Sequence, residues 1–299
     1  MLVAVTGSTG MIGSALVPSL VADGHEVLRL TRSPSPGPGA AHWDPAGGTI
    51  DSEALSKAGA VVHLAGRSIF ALRWTAGVKR EILSSRARGT RLLAETIAGL
   101  RGGPRVLVCA SGINYYGDRG DEVLTELSPS GQGFLAEVCR QWEGAADPAR
   151  EAGVRTVHVR TGLVLTPSGG ALPKLLPLFR VGLGGRFGSG RQWWSWVTVD
   201  DVVGIYRHAV TATSASGPLN ATAPNPATNA AFTATLAKVL RRPTLVPVPS
   251  FGPKLLLGQL AKELLFDSAR VHPAATQSSG YSFHHPTLEP ALHHLLTRP

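Results

Sequence analysis

The densest chemistry in this chain stands at its start. Thr6-Gly7-Ser8-Thr9-Gly10-Met11-Ile12-Gly13 spaces its glycines as G-x-x-G-x-x-G directly after the apolar run Leu2-Val3-Ala4-Val5. A buried strand that ends in such a loop and runs into a helix is a cradle for a pyrophosphate. One glycine allows the sharp turn, one lets the backbone approach the anion, and one lets the helix pack closely on the sheet. Gly7, Ser8, Thr9, Gly10, Met11, Ile12 and Gly13 are therefore expected to hold the phosphates of a dinucleotide, with the amide-rich start of the next helix facing them. Further on, Glu26-Val27-Leu28-Arg29-Leu30 reads as a second strand, closed by Thr31-Arg32. An acidic residue there would take a ribose 2′-hydroxyl, whereas an arginine suits a 2′-phosphate. No Asp or Glu is present, so Thr31 and Arg32 point to NADP rather than NAD.

Groups suited to proton transfer are fewer. Ser111, Tyr115 and Tyr116 follow the apolar run Arg105-Val106-Leu107-Val108-Cys109-Ala110, at the strand end where open α/β sheets hold their ligands. Ser111 and Tyr116 are the acid/base candidates, and either tyrosine is equally suited to pack against a nicotinamide or the core. Gln192-Trp193-Trp194-Ser195-Trp196 concentrates half of the chain's six tryptophans. Their faces suit a sugar ring or another flat ligand, or else they close an interface between two lobes. His63, inside an apolar run, reads as a core histidine, and Cys139, amid apolar helix neighbours, as an inert thiol. Glu143, Asp200 and Asp201 read as structural, and no metal-ligand set is expected.

These residues need a scaffold, and the order of elements supplies one. Residues 60–64 form a buried strand ending in Ala65-Gly66, small residues against which an adenine and its ribose can lie. A long helix is expected over 74–100, with Glu81 and Arg86 near enough in rotation to border one site. Strands at 105–110 and 156–160 flank a helix at 134–152. Alternation of strand and helix through residue 165 predicts an α/β fold with a Rossmann-type doubly wound parallel sheet. Beyond Pro167 the texture changes to a helix through Phe179, a glycine-rich loop at 182–190, the tryptophans, and a helix to about residue 212. A strand at 217–221, a helix at 229–240 and an edge strand at 243–249 follow. The expected organisation is an NADP-binding domain over 1–165, to which 191–212 returns, and a smaller α/β C-terminal lobe over 166–190 and 213–299 that covers a small-molecule substrate.

Composition narrows the class. The 299 residues are 43% hydrophobic and 16% charged, which is globular. No uninterrupted apolar run reaches the roughly 18 residues of a membrane span, and the start lacks the basic flank of a signal peptide. The two cysteines are too few for a disulfide framework, so a reducing cytoplasm is expected. A net charge of +9 comes from scattered arginines without a basic run, so no nucleic-acid partner and no membrane is expected, and the chain is read as a monomer or homodimer.

Several short stretches together resemble the extended and atypical short-chain dehydrogenase/reductases, and more narrowly the epimerase-family oxidoreductases with a small C-terminal domain of unknown function. They are the glycine loop, His63-Leu64-Ala65-Gly66, Ser85-Arg86, Tyr115-Tyr116-Gly117-Asp118, Trp142-Glu143, Arg160-Thr161-Gly162, Gly184-Gly185 with Gly188-Ser189-Gly190, Val199-Asp200-Asp201-Val202, and Asn220-Ala221-Thr222-Ala223-Pro224-Asn225-Pro226. The resemblance implies that the glycine loop, Thr31, Arg32, Leu64, Ala65, Glu81, Arg86 and Val164 line an NADP(H) site, to which Gly66 and Ser111 are added by their place at the sheet edge. The wider superfamily uses a Tyr-x-x-x-Lys pair, in which lysine lowers the tyrosine pKa. No tyrosine here is followed four residues later by lysine. Anchored on Trp142-Glu143, the matching positions are Leu135 and Cys139, or Phe134 and Val138 one register back, and the catalytic serine aligns to Ser111 or to Gly112. The expected function is an NADP-dependent oxidoreductase or epimerase acting by hydride transfer, its substrate lying against Tyr115, Tyr116, Trp193, Trp194 and Trp196. The alternative is a protein that holds NADP(H) as a sensor without turnover.

Overall fold

Apolar runs that bury both faces belong in the middle of a parallel sheet, and a computed structural model places them there. The structure describes residues 1–70, 73–244 and 247–296. Strands β1 (Leu2–Thr6), β2 (Glu26–Thr31), β3 (Ala40–Asp44), β4 (Thr49–Ile50), β5 (Ala60–His63) and β6 (Val106–Gly112) join Arg155–Thr161 and Gly217–Ala221 in one eight-stranded sheet. Its order is Gly217–Ala221, Arg155–Thr161, β6, β5, β1, β2, β3, β4. All neighbours are parallel except β3 and β4. From β1 the chain moves outward first through β2 and β3, then in the opposite direction through β5 and β6. The resulting crevice between the carboxyl ends of β1 and β5 is where such sheets take ligands.

Helices cover both faces. On one side α1 (Met11–Ala22) packs Leu16, Val17 and Leu20 with Val3, Val5, Val62, Val108 and Val157. On the other, Leu93, Ala94 and Ile97 of the long helix α3 (Ala76–Gly99) meet Ala4, Val61, Leu107 and Cys109. Between these helices in sequence lies the short α2 (Ser52–Ser56), capped by Asp51. The single helix expected over 134–152 is two, α4 (Phe134–Gly144) and α5 (Asp147–Glu151). Pro148 in the first turn of α5 has no amide to continue the earlier ladder. Helix α6 (Leu172–Arg180) begins the C-terminal lobe, and α7 (Val199–Thr211) returns to the sheet, adding Val202, Ile205 and Tyr206 to the core of α1.

The lobe boundary differs from the expected one. Gly217–Ala221, placed by sequence in the C-terminal lobe, is the outermost strand of the main sheet, pairing parallel with Arg155–Thr161. Within 243–249, residues 245 and 246 lie outside the described residues; Val248 makes an isolated bridge to Phe187. The lobe has its own core of Leu172, Leu176, Phe179, Trp196, Phe232 and Leu292. No helix among the described residues is long and apolar enough to cross a membrane.

Candidate cofactor and substrate cleft

Thr6 ties the two strand ends that define the crevice. Its Oγ1 accepts the amides of Leu64 (3.1 Å) and Ala65 (3.2 Å) and lies 2.7 Å from Nδ1 of His63. His63 is fully buried, and burial lowers its pKa to about 3, so it is a neutral part of the scaffold. The three glycines do different work. Gly7 has φ +66°, and a Cβ on it would lie 2.9 Å from Ala65 N. A Cβ on Gly13 would sit 2.2 Å from the Gly7 carbonyl, so no side chain fits between helix and loop. On Gly10 it would meet only that carbonyl, at 3.3 Å, and otherwise open space. No side chain caps α1 at Gly10, which leaves its first amides available to an anion. This cradle, closed to a methyl group at Gly7 and Gly13 and open at Gly10, fits a dinucleotide pyrophosphate.

The remaining expected cofactor positions divide. Arg32 is exposed just past the end of β2 with no carboxylate partner among the described residues, and Thr31 Oγ1 is buried without a partner. Arg86 lies in the cleft wall, donating from one nitrogen to the carbonyls of Arg67 (2.9 Å) and Ile82 (3.1 Å). Its guanidinium stacks 4.9 Å from the Trp142 ring and abuts Gly66, whose Cβ, if present, would be 3.3 Å from it. No carboxylate pairs with Arg86 among the described residues, so a half-buried cation faces the cleft. Glu81 is turned the other way, to an exposed ion pair with Arg67 outside the cleft lining.

The cleft itself is continuous. A cavity of about 730 Å³ runs from Met11, Ile12 and Leu64 past Ser111 and Val164 to Trp193, Trp194, Glu263 and Asp267. Its floor holds a buried polar chain. Ser111 donates to Glu143 Oε1 (2.7 Å), which with its second oxygen takes two bonds from Arg160 (2.9 and 2.8 Å). Arg160 in turn donates to the Tyr116 hydroxyl (3.0 Å), and Tyr116 donates to Asn220 Oδ1 (2.8 Å).

This chain of bonds corrects the reading of the tyrosines. Tyr116 is fully buried, its hydroxyl held by Arg160 and Asn220, and burial pushes its pKa up to about 12, so it does not reach the cleft as a proton donor. Tyr115 lies flat under the Arg160 guanidinium, 3.5 Å from ring centre to carbon, and is outside the cleft lining. Trp196 is also corrected: it is fully buried, donates to the Asn225 carbonyl (3.1 Å), and belongs to the lobe core. Trp193 and Trp194 do line the cleft, the former donating to Asp121 (2.7 Å) beneath Arg270. Leu135 and Cys139 also line it. Burial raises the Cys139 thiol to about 11, which makes it inert at neutral pH.

Two carboxylates of the cleft escaped the sequence reading. Glu263 accepts the Phe134 (3.1 Å) and Leu135 (2.8 Å) amides, capping α4 from a turn of π-helix at Lys262–Phe266. Asp267 closes that turn, and burial, then the nearby Asp118, raises its pKa to about 6. No local motif marks either residue, because the partners that define them lie far away in the chain.

A profile described as NAD dependent epimerase/dehydratase family matches residues 3–221. The chain belongs to this family. A second profile, Domain of unknown function (DUF1731), matches residues 248–295, within the C-terminal lobe that carries Glu263 and Asp267. Epimerase family protein ML0860 of Mycobacterium leprae is 41% identical over 297 residues, covering 99% of this chain and 96% of its own. The crystal structure of human epimerase family protein SDR39U1 with NADPH superposes with a TM-score of 0.89 at 37% identity over 100% of both chains. The nucleoside-diphosphate sugar epimerase of Corynebacterium glutamicum gives 0.83 at 40% identity, over 99% of this chain and 58% of that one. Family membership and the Rossmann-type sheet agree with the resemblance drawn from the motifs.

Proposed function

We propose that this epimerase-family chain is an NADP(H)-dependent oxidoreductase acting on a small carbonyl or hydroxyl compound, sugar-like in size. The observation that carries the reading is the single cleft joining the phosphate cradle to Ser111 and then to the tryptophans of the lobe. The cradle at Gly7–Gly13, the wall at Leu64, Ala65, Gly66 and Val164, and the unpaired Arg86 would hold the dinucleotide, with Thr31 and Arg32 at its 2′-phosphate. When bound, the cofactor supplies hydride exchange at nicotinamide C4. Ser111, its proton directed at Glu143, presents lone pairs that can accept a bond from a substrate hydroxyl. Asp267 is suited to give or take the proton, since a carboxyl near pKa 6 populates both forms close to neutrality. Arg160 and Tyr116 position Glu143 from behind. Trp193 and Trp194 offer flat apolar walls to the substrate.

A specific observation favours a second reading. Leu135 and Cys139, or Phe134 and Val138 one register back, stand where the superfamily places its tyrosine and lysine, and neither pair exchanges a proton, as a cofactor-holding sensor would allow.

Titration with NADPH, NADH, NADP and NAD, followed by stereospecific hydride loss on adding sugars, aldehydes and quinones, separates the two. Selective NADPH binding with hydride loss supports the enzyme; binding without loss across the panel supports the sensor. Arg32→Ala is expected to weaken NADPH by about tenfold or more while leaving NADH unchanged, the cost of a charge-assisted phosphate contact being roughly 1.5–3 kcal/mol. An unchanged preference would overturn the assignment of NADP.

A further inference from the structure

Away from the cleft, three side chains from two distant parts of the chain converge. Asp200 stands in the first turn of α7. His285 precedes, and His294 lies within, the C-terminal helix Leu288–Leu296. His294 Nε2 is 2.7 Å from Asp200 Oδ2, and His285 Nε2 approaches the same oxygen at 3.8 Å. The two imidazoles face each other with ring centres 4.1 Å apart, and the ligand atoms of all three residues lie within 4.8 Å of one another. At 3.8 Å the His285 contact is not a hydrogen bond, so hydrogen bonding does not account for its aim.

We propose that Asp200, His285 and His294 form a binding site for a first-row divalent cation, zinc foremost. Two imidazoles and a carboxylate are the donor set that such cations take, with metal–ligand distances of about 2.0–2.2 Å. Tetrahedral placement at that radius sets neighbouring ligand atoms roughly 3.3 Å apart, and the observed 2.7 and 3.8 Å bracket that spacing. Side-chain adjustment brings the three ligand atoms, already within 4.8 Å of one another, to that spacing.

The supporting residues hold the site in place. Asp201, fully buried, accepts the backbone amides of His284 (2.8 Å) and His285 (3.0 Å), which fixes the segment that presents His285. Thr198 caps α7 through the Asp201 amide (3.1 Å) and so fixes the turn that presents Asp200. Leu288, Leu292 and Leu295 anchor the last helix in the lobe core. These contacts fix the backbone segments that present Asp200, His285 and His294. The Asp200 carboxylate also borders a cavity of about 570 Å³ shared with Arg180 and Thr166, which gives water access to the remaining coordination positions. The cation would link the start of α7, on the sheet, to the helix that closes the lobe.

The test uses tag-free full-length protein stripped with EDTA, titrated with zinc chloride against a chromophoric chelator and melted with and without zinc. One zinc per chain and a raised melting temperature are expected. Asp200→Asn and His285→Asn, each checked for native far-UV circular dichroism in EDTA, are expected to weaken binding more than about tenfold and to abolish the thermal shift. Visible absorption of the cobalt-loaded protein should show ligand-field bands that both variants lose. Two independent substitutions keep the test valid if one variant misfolds. Absence of zinc binding by the wild type, or wild-type affinity in either folded variant, would overturn the proposal.

Discussion

Replacing Gly10 and Gly13 separately by alanine tests whether the loop is a cofactor cradle or simply a tight turn. At Gly13 the new methyl would fall 2.2 Å from the Gly7 carbonyl oxygen and 2.8 Å from Ser8 Cα. Both are backbone atoms, so relief needs α1 and the loop to separate by about 1 Å, and overpacking of this kind costs about 1–3 kcal/mol. Alanine returns roughly 0.4–1 kcal/mol by restricting the unfolded chain, leaving a net loss of about 1–2 kcal/mol and a melting temperature lower by a few degrees. At Gly10 the methyl meets only the Gly7 carbonyl, at 3.3 Å, and the backbone has φ −76°, which alanine adopts freely. The weaker helix capping of alanine and its smaller unfolded-state entropy nearly cancel, so stability should stay within about 0.5 kcal/mol. A pyrophosphate approaching there nonetheless loses backbone contact, each charge-assisted bond being worth about 1.5–3 kcal/mol. NADPH affinity, followed by fluorescence titration, should therefore fall about tenfold or more in both variants, while thermal melts of the cofactor-free proteins move only for Gly13→Ala. Undiminished NADPH affinity in Gly10→Ala would refute the cradle and leave a turn without a ligand.

Two further outcomes follow from the charged groups around the cleft. Glu143→Gln leaves the buried Arg160 guanidinium, 3% exposed, without its counter-charge, and about 3 kcal/mol of stability should be lost in urea unfolding; an unchanged midpoint would mean that Tyr116 and the Glu126 carbonyl suffice to hold Arg160. Asp267 has a folded-state pKa raised to about 6, so its neutral form is favoured in the fold: its contribution is fully present below the ordinary carboxyl pKa and is lost as pH rises through 6. Asp267→Asn should accordingly raise the melting temperature at pH 7.5 and leave it unchanged at pH 3.5, while abolishing any limb near pH 6 in the turnover profile; equal shifts at both pH values would show that the substitution acts by packing.

What the sequence revealed is what local physics determines. Thr6 to Gly13 carries its meaning in adjacent residue types, because the geometry of a strand-to-helix turn depends on a few neighbouring residues. The parallel sheet was legible for the same reason: strands buried on both faces are continuously apolar. Side-chain roles set by distant partners were not legible. Tyr116 stands at the correct sheet edge, yet the residues that bury its hydroxyl are 44 and 104 positions away. Trp196 lies two residues from the cleft-lining Trp194, a spacing that in one continuous strand would put both on the same face. The strand breaks at Ser195, between Trp193–Trp194 and Trp196–Thr198, and the lobe core takes Trp196. Glu263 reaches across 129 positions to cap α4, and His294 across 94 to meet Asp200. Gly217–Ala221 reads as a strand from its own residues, but only its pairing with Arg155–Thr161 reveals that it belongs to the sheet.

The missing tyrosine and lysine show how these two kinds of information combine. Their absence is visible in sequence; its consequence is visible only in the fold. Leu135 and Cys139 turn the cleft side of α4 into an apolar wall, and the start of that helix is held by Glu263, a carboxylate from the C-terminal lobe. The residue with acidity near neutrality, Asp267, lies four positions further along the same lobe. If Asp267 is the group that exchanges the proton, acid/base capacity stands on the lobe that lines the cleft rather than on the helix that carries it elsewhere in the superfamily. Any proton transfer here would then depend on how the lobe sits over the sheet, and Glu263, which joins α4 to the turn before Asp267, couples the two. In this chain the C-terminal lobe supplies part of the cleft lining, with Glu263 and Asp267 among its residues.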